Sequence, residues 1–197
     1  MRIVPENRKV GILLSGRGSN FEAISERIAS CELDAEIALV LSNNEDAPGL
    51  LSARKKGMSA AYLSGEGISR KEFDNRAVKL LQDADVGLVC LAGFMRILSP
   101  VFINAFSYRI LNIHPSLLPA FPGLHAQRQA FEHGVRFSGC TVHFVDESLD
   151  GGPIICQASV PVLEGDGAEE LSERILAEEH SLYPKAIDLV LSGRCEI

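Results

Sequence analysis

Short apolar runs alternate with stretches of helical spacing along most of this chain, and that alternation restricts the fold more than any other feature. Lys9–Ser15, Ala35–Ser42, Ser59–Leu63 and Val86–Ala92 read as strands, the last as a buried central one. Between them Phe21–Ala29, Pro48–Lys56 and Arg70–Leu81 carry helical periodicity, with Phe73, Ala77, Leu80 and Leu81 on one face of the third. Ser99-Pro100 reads as a helix start, serine as cap and proline in the first helical position. The pattern then changes. Gly139–Val145 and Pro153–Val162 are extended runs joined by 146–152, and Gly167–Leu191 reads as a closing helix that Pro184 kinks or divides. The expectation is an α/β, Rossmann-like fold: a mostly parallel twisted sheet flanked by helices, with an antiparallel or mixed C-terminal part.

A chain of 197 residues is most simply one domain, with residues 1–8 as a flexible arm. The net charge of -7 argues against broad nucleic-acid binding, which needs a basic surface, while leaving room for a local phosphate pocket. The apolar runs are too short for a membrane span of roughly twenty residues, and the start lacks a signal peptide's apolar core, so the expected location is cytoplasmic. The five cysteines are odd in number and widely spaced, and no His/Cys/Asp/Glu motif has metal-ligand spacing, so no metal is expected.

Three stretches could carry chemistry. Ser15-Gly16-Arg17-Gly18-Ser19-Asn20 lies between the first strand and the first helix. Its glycines permit a tight turn and close approach, and the helix-opening amides carry partial positive charge, which together suit a phosphate. A dinucleotide site is disfavoured, because Phe21 occupies the third-glycine position and the second strand ends in Ser42-Asn43-Asn44, without the acidic residue that holds a ribose diol. No Walker lysine is present. Asn112-Ile113-His114-Pro115-Ser116-Leu117-Leu118-Pro119 ends a strand. Residues two apart share a face there, so Asn112 and His114 point together while Ile113 packs behind them. A carboxamide beside a group that can hold a proton suits a reaction that builds negative charge on a carbonyl oxygen. A carboxylate such as Asp150, in Leu149-Asp150-Gly151-Gly152-Pro153, would favour the imidazolium and orient it, although the same stretch also reads as a plain turn. Gly93-Phe94-Met95-Arg96-Ile97-Leu98 follows the central strand and could form an apolar slot with exposed backbone groups, or simply pack on the next helix. His143 alternates with Val142 and Phe144, facing either the same cleft or the surface, and His180 reads as part of a solvated helix face.

Taken together, Ser15–Asn20, Gly93–Leu98, Asn112–Pro119 running on through Phe121-Pro122-Gly123-Leu124-His125, Leu149–Pro153 and Glu179-His180-Ser181-Leu182-Tyr183-Pro184 resemble the folate-dependent formyltransferases over essentially the whole chain. The closest likeness is to the branch whose acceptor is glycinamide ribonucleotide. The resemblance implies an enzyme that moves a formyl group from 10-formyltetrahydrofolate to that acceptor's amine. It also implies site roles: Gly18, Ser19, Asn20 and Glu179 for the ribonucleotide; Arg70, Met95, Arg96, Ile97, Leu98 and Asn112 for the folate; and Asn112, His114 and Asp150 for catalysis. Small-molecule substrates are the expected partners, the chain itself a monomer or homodimer. Relatives often carry a lysine where this chain has Ala120. Two related activities share the Asn-x-His and Asp group, a formyltetrahydrofolate deformylase and a methionyl-tRNA formyltransferase. Both usually carry a further domain for which 197 residues leave no room. A non-enzymatic nucleotide-binding protein would explain 15–20 and leave Asn112, His114 and Asp150 without a purpose.

Overall fold

The computed structural model describes residues 4–196. Seven strands form one sheet in the order β3-β2-β1-β4-β5-β6-β7: β1 Lys9–Leu14, β2 Glu36–Ser42, β3 Ala60–Tyr62, β4 Leu88–Leu91, β5 Ile110–His114, β6 Phe137–Phe144 and β7 Ile154–Pro161. β1 to β5 pair in parallel, whereas β5–β6 and β6–β7 are antiparallel. The helices are α1 Ser19–Ala29, α2 Pro48–Lys55, α3 Arg70–Asp83, α4 Pro100–Ala105, α5 Ala126–His133 and α6 Ala168–Leu191. The expected fold class and the change of direction after β5 are both present. Parallel strands need crossover connections, which the helical stretches supply, and the short link 146–152 can only join antiparallel neighbours.

Two apolar clusters divide the helices between the faces. Ile12, Leu14, Cys90, Leu111, Ile113 and Val142 pack with residues of α1, α2 and α6 on one side. On the other, Leu13, Leu41, Val89, Leu91 and Ile110 pack with α3 and α4. That second cluster holds no buried residue of β6 or β7. The face of β5 that bears Asn112 and His114 therefore continues onto a stretch of sheet no helix seals, and loops reach it instead.

Several expectations need correction. Residues 1–3 of the expected arm lie outside the described residues, but 4–8 pack against the domain: Pro5 is buried, the Asn7 side chain donates to the carbonyl of Asp85 (2.9 Å), and Arg8 reaches Asp34. Ser99 occupies the N-cap position of α4 without a side-chain cap. Its backbone N–H donates instead to Asp74 Oδ2 of α3 at 2.6 Å, so a carboxylate from the neighbouring helix takes up the donor. Pro184 does not divide α6, which runs 24 residues. Leu182, Tyr183, Ala186 and Ile187 are buried on both sides of the proline, and this packing outweighs the missing hydrogen bond. The Tyr183 hydroxyl lies 3.0 Å from the carbonyls of both Leu91 and Leu111, fastening the helix across β4 and β5. Helix α5 was not anticipated at all.

Candidate active site

The carboxyl ends of the parallel strands lie along one edge, where ligand crevices form in open α/β sheets. At the end of β1 the chain turns through Gly16 and Gly18 into α1. Gly18 has φ 77°, and a Cβ on it would sit 2.7 Å from Gly49 Cα at the start of α2. A second side chain fits neither the backbone angle nor the gap. Gly49 N–H in turn donates to the Gly16 carbonyl at 3.1 Å, so α2 buttresses the turn from behind. Gly16 faces open space. Glu22 N–H already donates to the Gly18 carbonyl, which leaves the N–H groups of Ser19, Asn20 and Phe21 as the helix's unpaired donors. The geometry is that of an anion site.

Asn20 and Glu179 meet although 159 residues separate them: Asn20 Nδ2 donates to Glu179 Oε2 at 2.8 Å, both side chains being buried. Burial pushes the Glu179 carboxyl above its ordinary range, and the Asn20 bond only partly offsets it. Asn20 Oδ1 is buried without a partner, an acceptor that awaits a donor. A cleft of about 450 Å³ adjoins this loop between α1 and α6, lined among others by Arg17, Ser19, Glu22 and His180. His180 thus faces this cleft and is less solvated than a free helix face. A second cavity of about 210 Å³ lies at the root of the 146–152 loop. Neither is lined by Asn112, His114 or Asp150.

Those three residues converge at the end of β5. His114, 5% exposed, places Nδ1 3.4 Å from Asp150 Oδ2, while its Nε2–H donates to the carbonyl of Phe121 at 2.9 Å. Each ring nitrogen thus faces an oxygen atom. Asp150 Oδ2 also accepts the Gly123 N–H at 2.8 Å, so the 121–123 turn binds both members of the pair. Phe121 and Asp150 sit at φ 54° and 51°, left-handed angles that are uncommon for such residues and cluster here around the histidine. The His133 ring meets the edge of Phe121, with centroids 5.7 Å apart, which gives α5 a part in holding the turn. Asn112 lies directly opposite His143 in the β5–β6 ladder, and its Nδ2 is 3.2 Å from His143 Nε2. His143 Nε2 is 3.9 Å from Asp150 Oδ1.

The folate expectations fare unevenly. Met95 and Ile97 are exposed, at 70% and 67%. Leu98 belongs to the core beneath α3 and α4, so only its backbone remains for a ligand. The Arg96 guanidinium lies 4.0 Å above the Phe73 ring, which also stacks on Phe94, so that side chain ties the loop to the first turns of α3, where Arg70 is exposed. The Met95 N–H is not free either, since it donates to Ser15 Oγ at 2.8 Å. Ser15 Oγ donates to Asn43 Oδ1 at 2.5 Å, so one hydroxyl joins the loops that follow β1, β2 and β4.

The sequence profile of formyl transferases matches residues 8–187 of this chain. The chain belongs to the formyl transferase family. Its similarity to the phosphoribosylglycinamide formyltransferase of Escherichia coli (strain K12) is 42% identity over 94% of this chain and 88% of the relative. A glycinamide ribonucleotide transformylase 1 from Symbiobacterium toebii superimposes with a TM-score of 0.95 at 52% identity, covering 97% of this chain and 91% of that one. The trifunctional purine biosynthetic protein adenosine-3 of Drosophila pseudoobscura pseudoobscura is 47% identical over 98% of this chain, which spans only 14% of that longer protein.

Within this member of the family, sequence reasoning missed the structural parts of His143, Ser15 and Gly123. His143 was legible in part: Thr141 and His143 share one face of β6, as Asn112 and His114 share one face of β5, and only the register was needed to set them opposite each other. The Gly123 N–H and Phe121 carbonyl are backbone groups, which no side-chain pattern can announce.

Proposed function

We propose that this formyltransferase transfers the formyl group of 10-formyltetrahydrofolate to the amine of glycinamide ribonucleotide, as an enzyme of the cytoplasm acting as a single domain without metal. The observation that carries the reading is the 3.4 Å approach of His114 to Asp150, with Asn112 on the same face of β5. The amine nitrogen attacks the formyl carbon and the carbonyl electrons move onto oxygen. His114 Nε2 is occupied by Phe121, so it is the Nδ1–H, turning from Asp150 to the new oxygen, that joins an Asn112 N–H in donating to that oxyanion. Asp150 balances the imidazolium and accepts the proton the attacking nitrogen loses, directly or through a water. The oxyanion's electrons then re-form the carbonyl as the C–N10 bond breaks, and the proton held by Asp150 passes to the folate nitrogen, directly or through a water. Gly18, Ser19 and Asn20 hold the ribonucleotide phosphate, and Glu179 meets the same substrate. Arg70, the exposed faces of Met95 and Ile97 and the backbone through Arg96 and Leu98 meet the folate. The chain acts as a monomer or homodimer.

The test is to mix purified protein with the formyl-folate in the presence and absence of glycinamide ribonucleotide, without ATP or added metal. Deformylated folate should appear only with the ribonucleotide and in equal amount to formylated product. Ribonucleotide-independent hydrolysis would make the protein a deformylase instead.

A further inference from the structure

His143 is a buried histidine that the formyl-transfer chemistry leaves without a task, and its two nitrogens have well-defined neighbours. The ring is 2% exposed. Nδ1 lies 2.8 Å from the Phe144 carbonyl, and a carbonyl only accepts, so Nδ1 carries the hydrogen. In the neutral ring Nε2 then holds a lone pair, and the group facing it at 3.2 Å is the NH₂ of Asn112. A carboxamide can be turned over at almost no cost in shape, exchanging its donor end for its acceptor end. Turned over, Asn112 would set the Oδ1 lone pairs against the Nε2 lone pair and offer a carbonyl oxygen where the other terminus now offers N–H.

Building on the formyl-transfer reading above, we infer that His143 is a positioning residue that, as the neutral Nδ1–H tautomer, locks the carboxamide of Asn112 with its NH₂ group toward the reacting oxygen. One Nδ2 hydrogen is held by Nε2 and the other is left for the oxyanion. Pre-set donors of this kind act only if they need no reorientation as charge develops.

The surroundings keep the ring neutral. Burial lowers the His143 basicity most, and the His114 charge works in the same direction, against the raising influence of the Phe144 carbonyl, Asp150 and Asp146. From β7 its ladder partner is Ile154, which carries no charge. Protonation would have two consequences. An Nε2–H would repel the Asn112 NH₂, and it would turn toward Asp150 Oδ1, at present 3.9 Å away, in competition with His114.

A double-mutant cycle separates this role from plain packing. His143→Phe should lower kcat by about 10–100-fold, bounded by the 10²–10³ expected for removing an oxyanion donor outright. KM for both substrates should change by less than about twofold. His143→Gln, whose Oε1 can stand near the place of Nε2, should recover most of the loss. On an Asn112→Ala background His143→Phe should cost no more than about threefold further, because the group it orients is gone. Losses that multiply in full would overturn the inference. Imidazole ¹⁵N spectroscopy of the wild-type protein gives a reading that needs neither turnover nor a folded variant: His143 should be the Nδ1–H tautomer at neutral pH, and an Nε2–H tautomer would overturn the inference. Failure of formyl transfer by the wild type, by contrast, would strike the formyl-transfer reading and leave the tautomer result standing.

Discussion

The two halves of the sheet build their parts of the site by opposite means. Between β1 and α1, the candidate site is made from backbone: consecutive residues, two glycines and the opening amides of a helix, with α2 as a buttress. Between β5 and β7 it is made from side chains far apart in sequence, at 112, 114, 143 and 150, on two antiparallel strands and a loop, with left-handed residues at Phe121 and Asp150. The first half is parallel and lies between two layers of helices, so its loop is short and stiff. The second has one face that no helix seals, so loops close over the histidines and can bring in the donors and acceptors that catalysis needs. Backbone suits a ligand such as phosphate, which asks only for N–H groups. A reaction that moves protons needs titratable groups.

The sharpest way to break this contrast is at Asp150. Asp150→Asn keeps an oxygen that can accept the Gly123 N–H, but removes the charge that faces His114. The expected result is a loss of about 10²–10⁴-fold in kcat, the range for a positioned acid/base group, with the folded-state circular dichroism and acceptor KM nearly unchanged. Turnover near that of the wild type would deny the second half its catalytic role.

The same contrast explains what could be read from sequence. The proposed phosphate loop lies within six consecutive residues, and its glycines, neighbouring strand and neighbouring helix all mark it locally. The pairing of Asn112 with His114 is equally local, since a period of two puts them on one face. Asp150 could be joined to them only through the family resemblance, and His143 stayed ambiguous, because its direction depends on the β5–β6 register. The α5 helix was missed: it spans only eight residues, with a left-handed His125 at its N-cap where a capping side chain would ordinarily mark the start. Leu98 and Arg96 were legible as a loop near the site, but which of their atoms pack inward is a tertiary outcome.

Gly16 and Gly18, two residues apart, should respond differently. Gly18→Ala would bring a Cβ to 2.7 Å from Gly49 Cα at φ 77°, so backbone must move. Left-handed strain and overpacking together make a loss of about 2–4 kcal/mol the expected outcome, read from the urea midpoint. Gly16→Ala meets nothing within 4 Å in the unliganded chain and should leave that midpoint nearly in place, while raising acceptor KM if the ligand approaches there. Equal destabilisation by both would mean that the turn is a structural feature throughout, with no face reserved for a phosphate.

The smallest expected effect concerns Glu179, where the backbone-built half borrows a titratable side chain from α6. Burial raises its carboxyl above the ordinary value of 4.5, so the folded protein holds this proton to higher pH than the unfolded chain does. By linkage the folded state loses stability as pH rises from about that value through the raised one, and keeps the deficit above it. Glu179→Gln removes this slope while preserving an oxygen for Asn20 Nδ2. Below the window the two proteins should unfold alike. At neutral pH the variant should melt higher than the wild type. Acceptor KM should rise in the same variant, because the buried charge and the unpartnered Asn20 Oδ1 beside it are together suited to hydroxyl or amine donors of a ligand. A carboxylate that costs stability and aids binding is there for the substrate. If the variant instead melts lower at neutral pH with acceptor KM unmoved, Glu179 serves only to brace α6 against α1.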